Sequence, residues 1–94
     1  MISRRSGGDV SITVILEFRD AIEKYDRAME LMPELADQPG RRSHVCARTP
    51  DGFVVVEVWD TCDAYERYTT LLFPVLEEVG LHAQQRALPV HHSM

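Results

Sequence analysis

The sequence predicts a single α+β domain with the element order β-α-β-β-α-β. Three observations carry this. An apolar run of period two spans residues 10–18. Two segments with helical apolar spacing follow, over residues 20–32 and from residue 60 onward. Between them, two strand-like runs flank a Thr-Pro-Asp-Gly turn signal. At 94 residues the chain has room for one domain.

Residues 1–9 are polar and glycine-bearing and read as a loose tail, which leaves a domain over residues 10–92. In the first strand Val10, Ile12, Val14, Leu16 and Phe18 share one face. Ser11, Thr13, Ile15 and Glu17 share the other. Asp20 and Glu23 have the spacing of a capping-box variant, and Ile22, Tyr25, Met29 and Met32 recur along one helical face behind them. Pro33 and the Asp37-Gln38-Pro39-Gly40 cluster mark a loop.

Residues 42–48 and 53–59 then form a hairpin around Thr49-Pro50-Asp51-Gly52. If Arg48 opposes Phe53, Cys46 opposes Val55 and His44 opposes Glu57. Asp60 or Thr61 can cap the second helix. Its stripe is Ala64, Tyr65, Tyr68, Leu72, Val75 and Val79. Pro74 is expected to break or kink it, and Gly80 fits its C-terminal cap. Residues 84–91 supply the last strand, at an edge or with a bulge, because Pro89 cannot donate to a ladder.

This order is the split βαβ, or ferredoxin-like, arrangement. Right-handed crossovers make a four-stranded antiparallel sheet with both helices on one face. The other face is left bare with large apolar side chains, which calls for a second subunit.

Composition narrows the partners. The formal charge is −5, with no basic cluster beyond Arg41-Arg42, so no nucleic acid is expected. No apolar run approaches the ~20 residues of a membrane span, and the basic start lacks the apolar segment of a secretory signal. Cys46 and Cys62 make no disulfide framework, which fits a reducing cytoplasm. No His or Cys spacing here is that of a metal site, so no metal is expected. Gly7-Gly8 follows no strand and is no phosphate loop, so no nucleotide cofactor is expected.

Several stretches together have a familiar pattern: Leu16-Glu17-Phe18, Tyr25-Asp26, Pro39-Gly40 with His44, Pro50-Asp51-Gly52 running to Trp59-Asp60-Thr61, Tyr65-Glu66-Arg67-Tyr68, Phe73-Pro74-Val75-Leu76 and Pro89-Val90-His91. Over nearly all of residues 10–92 the chain resembles small bacterial proteins of the dimeric α/β-barrel superfamily, close to antibiotic-biosynthesis-monooxygenase-like proteins. The resemblance implies a homodimer whose sheets pack face to face, with a pocket between helices and sheet in each subunit. It also implies cofactor-independent oxidation of electron-rich aromatic molecules, with Trp, Asn, Tyr, His or Arg around the ligand. The resemblance implies that Trp59 could serve as the Trp of that set. The chain contains no Asn, so the Asn of the oxygenases, and of the haem-degrading Asn-Trp-His set, has no counterpart.

The candidate catalytic pair is His44 and Glu57. Directly opposed residues share a sheet face with Cβ atoms ~5 Å apart. A carboxylate beside an imidazole orients the ring for proton transfer from a phenol or an acidic C–H. Such a pair also stabilises a sheet without any further role. Trp59, Tyr25, Tyr65 and Tyr68 are the candidate aromatic walls for a small-molecule substrate, or alternatively ordinary core. His91 can reach a pocket mouth from the last strand, but His91 and His92 point to opposite faces there and cannot share a metal ion. Cys46 shares the His44 face, and Cys62 falls in the first turn of the second helix. The expectation is a small cofactor-independent monooxygenase-like enzyme for an aromatic or polyketide-like substrate. A non-catalytic ligand-binding or accessory protein, or a cofactor-free isomerase or cyclase, would use the same scaffold.

Overall fold

A computed structural model describes residues 10–93. The tail expected over residues 1–9 lies outside the described residues. The elements are β1 (Ile12–Phe18), α1 (Glu23–Leu31), a 3₁₀ turn (Pro33–Ala36), β2 (Arg41–Thr49), β3 (Gly52–Trp59), α2 (Cys62–Val79) and β4 (Ala83–Pro89). The strands form one antiparallel sheet in the order β2-β3-β1-β4. This is the ferredoxin-like βαββαβ arrangement read from the sequence.

The period-two pattern decides which face is covered. Ile12, Val14, Leu16 and Phe18 of β1 are buried, as are Phe53, Val55, Glu57 and Trp59 of β3. They lie opposite one another in register, from Ile12 on Trp59 to Phe18 on Phe53. The Phe18 and Phe53 rings stack with centroids 4.6 Å apart. Ala28 of α1 and Ala64, Tyr65, Tyr68, Leu72, Val75 and Leu76 of α2 close this core from the helical side. The opposite face carries Ile15, Val45, Val54, Val56, Val58 and Leu88. Val45 and Leu88 there are exposed, and the remaining four are half-buried.

Four details differ from the sequence reading. First, α1 starts at Glu23 with Ile22 at its N-cap and no side-chain cap, so Asp20 and Glu23 form no capping box. The Asp20 carboxylate instead accepts the His82 backbone N–H at 3.2 Å, tying the start of α1 to the start of β4. Second, Pro74 does not end α2, which runs unbroken to Val79. The carbonyl that loses its partner belongs to Thr70. Thr70 and Pro74 are both exposed, so water can satisfy that carbonyl.

Third, the hairpin loop contracts to Pro50-Asp51, with Thr49 paired to Gly52. A Cβ on Gly52 would stand 2.1 Å from the Phe18 carbonyl oxygen, so only glycine lets the turn close on the end of β1. Fourth, β4 ends at Pro89, an edge-strand position that needs no donor, and His91 and His92 lie beyond it, exposed. The expected caps of α2 are present. The Thr61 hydroxyl accepts the Ala64 N–H at 3.1 Å, and Gly80 is left-handed at φ 76°.

Candidate functional site

The hairpin register places His44 opposite Glu57 on the helix-covered face of the sheet. His44 Nδ1 lies 2.6 Å from Glu57 Oε2. A carboxylate only accepts, so Nδ1 carries the hydrogen. In the neutral ring Nε2 is then a lone pair. The Tyr25 hydroxyl of α1 lies 2.8 Å from it and donates to it. Glu57, His44 and Tyr25 thus form one continuous hydrogen-bonded chain from the core outward.

Glu57 is only 1% exposed, and its charge needs a partner. Arg41 supplies it. Its Nη1 lies 3.3 Å from Glu57 Oε2, and its side chain is 5% exposed. The guanidinium also sits 5.5 Å from the Tyr68 ring centroid and 5.8 Å from that of Trp59. The Trp59 indole N–H donates to Glu57 Oε1 at 3.0 Å. Glu57 therefore accepts from three donors, which fix both of its oxygens.

Arg41 was not legible as a member of this site. Simple alternation from His44 puts Arg42 on the inner face. A β-bulge between Arg41 and Ser43 shifts the register, so Arg41 pairs with Trp59 while Arg42 pairs with the exposed Asp60 side chain. A bulge of this kind re-aims a side chain and leaves no reliable mark in sequence.

The aromatic residues divide. Tyr25 is half-buried and shares the cluster with His44. Trp59, Tyr65 and Tyr68 are core residues that pack on one another behind Glu57. The Tyr65 hydroxyl donates to Gln85 of β4, a partner the sequence did not nominate. His91 is exposed past β4 and is not brought to this cluster. Burial raises the phenol pKa of Tyr65, Tyr68 and Tyr25 above the usual value, with the Glu57 charge adding to each, so Tyr25 stays a hydroxyl donor. Burial also pushes the Cys46 thiol up, which works against a thiolate nucleophile. Among the described residues, no three His, Cys, Asp or Glu side chains are grouped to hold a metal ion.

Space at the cluster is limited. A narrow apolar pocket of about 30 Å³ lies between helices and sheet, beside Tyr25, His44, Glu57 and Tyr68. Two larger open depressions lie elsewhere. One, of about 570 Å³, is at the turn end of the hairpin beside Phe18, Asp20, Asp51 and His82. The other, of about 630 Å³, is between the end of α2 and β4. Neither contains the charged cluster, and their size alone gives them no chemistry. No helix among the described residues is long and apolar enough to cross a membrane.

No protein-family model matches the chain, and no curated protein matches it by sequence. Solved structures do match. The cofactor-independent oxygenase SnoaB from Streptomyces nogalater is 18% identical at a TM-score of 0.64, over 93% of this chain and 97% of that one. A candidate antibiotic biosynthesis monooxygenase from Chloroflexus aurantiacus is 21% identical at a TM-score of 0.62, over 89% and 97%. A conserved protein of unknown function from Bacteroides thetaiotaomicron reaches a TM-score of 0.66 at 12% identity, over 87% and 99%. The chain thus has the fold of antibiotic-biosynthesis-monooxygenase-like proteins over nearly its whole described length.

Proposed function

We propose that this chain is a small cofactor-independent monooxygenase-like enzyme acting on a small aromatic or polyketide-like substrate. The observation that carries the reading is the chain Glu57–His44–Tyr25, a buried, charge-compensated carboxylate that holds an imidazole whose lone pair points at a phenol. The fold shared with SnoaB supports the reaction class. The organic substrate docks in the seam between α1 and β2, where Tyr25, His44 and Cys46 are each half-buried.

The reaction needs a proton removed from a phenol or an acidic C–H, which makes the ring electron-rich enough to react with dioxygen. His44 Nε2 is the base, reached through the Tyr25 hydroxyl. Glu57 holds the ring and compensates the imidazolium that forms. For a phenol with an open para carbon, one dioxygen atom becomes the new carbonyl oxygen. The other leaves as water, taking up the two hydrogens lost from the ring and the hydroxyl. Substrate plus O₂ thus gives quinone plus H₂O, with the substrate oxidised and dioxygen reduced. Trp59 and Tyr68 act through Glu57 and Arg41 as positioning residues. Tyr65 packs behind them, and His91 has no role in this reading.

We further propose that the chain works as a homodimer in a reducing cytoplasm. The uncovered apolar sheet face supports the first and two free cysteines the second.

Oxygen consumption with a dihydroxynaphthalene tests the enzyme. His44→Ala is expected to lower the rate about 100-fold with dimerisation intact. Binding without oxygen uptake would replace the reading by a ligand-binding protein. Solvent hydrogen exchange into the substrate without oxygen uptake would replace it by an isomerase or cyclase.

A further inference from the structure

The pocket beside the catalytic chain is too small for an aromatic ring and too apolar for water. Its volume is about 30 Å³, whereas pockets for drug-sized ligands run to ~300 Å³ and more. Its surface is almost wholly carbon, from Leu16, Ala28, Leu35, Val55 and Leu72 among others. An internal water needs ~2–4 polar partners. Of the polar groups at the rim, His44 and Glu57 are already engaged, which leaves only the Tyr25 and Tyr68 hydroxyls to meet a water. His44 has a partner on each nitrogen, and Glu57 accepts from Arg41, His44 and Trp59. A water placed here leaves most of its hydrogen bonds unmade. Small apolar voids of this kind stay dry and take apolar guests such as xenon.

We propose that this pocket is a binding site for a small apolar gas molecule, and that dioxygen is its occupant. A neutral diatomic needs no hydrogen bonds, and dispersion contacts with the surrounding carbon hold it. The pocket lies on the inner side of Tyr25 and His44, while the seam proposed for the organic substrate is on their accessible side. The two reactants then meet across the residues that move the proton. The catalytic meaning of the occupant rests on the oxygenase reading, whereas the occupancy itself does not.

The test is methyl NMR on the full chain, labelled at Ile, Leu and Val methyls. Xenon under pressure is expected to shift the Leu16, Val55 and Leu72 methyls. Dioxygen is expected to enhance relaxation most strongly at the same methyls, with nitrogen at equal pressure as the diamagnetic control. Val55→Ile adds one methylene to the pocket. It is expected to weaken both effects at least tenfold and to raise the KM for dioxygen by a similar factor. Oxygen relaxation spread evenly over exposed helix methyls such as those of Leu31 and Leu71 overturns the site. A bound-water signal in the pocket does so as well. Where Val55→Ile does not fold, the wild-type gas measurements still decide. Gas binding without oxygen consumption would sink the oxygenase reading and leave the site standing. Oxygen consumption without gas binding would do the reverse.

Discussion

Replacing Glu57 by Gln isolates the charge at the centre of the site, because the side chain keeps its shape. Glu57 is 1% exposed and meets the Arg41 guanidinium at 3.3 Å, itself 5% exposed. At an effective dielectric of ~20 the attraction between them is about 5 kcal/mol. The amide keeps one acceptor oxygen for three donors, from Arg41, His44 and Trp59, and turns its own NH₂ toward one of them. Arg41 is left buried without a counter-charge. Breaking a buried pair from one side costs ~3–5 kcal/mol, and the partial dipole of the amide puts the expected loss near the lower end, ~3 kcal/mol. With a urea m-value of ~1.5 kcal/mol/M, the midpoint should fall by about 2 M. Trp59 is the only tryptophan in the chain and donates directly to Glu57, so its fluorescence reports this transition. All variants are compared at one protomer concentration, because dimerisation would enter the midpoint. Adding Arg41→Met removes the stranded charge, so the double variant should be more stable than the sum of the single losses by at least ~2 kcal/mol. A midpoint shift under ~0.5 M in Glu57→Gln, or strict additivity in the double variant, would refute the ion-pair account.

Three further outcomes are expected. Burial raises the pKa of Tyr25, Tyr65 and Tyr68, the three tyrosines of the chain, from 10.0. A raised acid keeps its proton when folded at a pH where the unfolded chain has lost it. Its contribution to stability is therefore full below about pH 10 and lost as pH climbs through the folded values. Phenolate absorbance of the native protein should lag that of the urea-unfolded chain, and a native curve centred at 10.0 would contradict this. Gly52→Ala drives a methyl against the Phe18 carbonyl at 2.1 Å. It should cost about 2 kcal/mol, read as a Tm roughly 10 °C lower. Val56→Glu puts a charge on the bare face, between Ile15 and Val45. Light scattering should show the wild type as the proposed dimer and the variant as a monomer, and an equal mass for the two would exclude that face as the dimer seam.

The fold was legible because it is written in short-range periodicity. Alternating burial over Ile12–Phe18 reproduces the apolar alternation of the sequence, whereas Gly52–Trp59 is apolar on both faces and takes its orientation from its pairing with β1. The Pro50-Asp51-Gly52 turn then fixes the hairpin register, which brings His44 to Glu57 with no slip. What the sequence left dark depends on events that interrupt a period. The bulge before Ser43 sends Arg41 inward in place of Arg42, and Arg41 is the counter-charge of the buried Glu57. Asp20 resembled a cap, but its carboxylate serves a strand distant in sequence. Tyr25 was legible as an inward-facing aromatic, yet its bond to His44 depends on how far α1 sits from β2, which no local pattern encodes.

This division has a chemical consequence. Glu57 stands at a position where the strand pattern calls for an apolar side chain, between Val55 and Trp59 in a strand whose other buried residues are all apolar or aromatic. An apolar residue there would satisfy the fold without Arg41, the bulge or the indole hydrogen bond. The chain instead devotes three donors to keeping one carboxylate in its core, and the one thing that carboxylate then does outward is hold His44 against Tyr25. A site that departs from the local rule of its own strand, and is compensated by neighbours on three sides, is where function is to be sought.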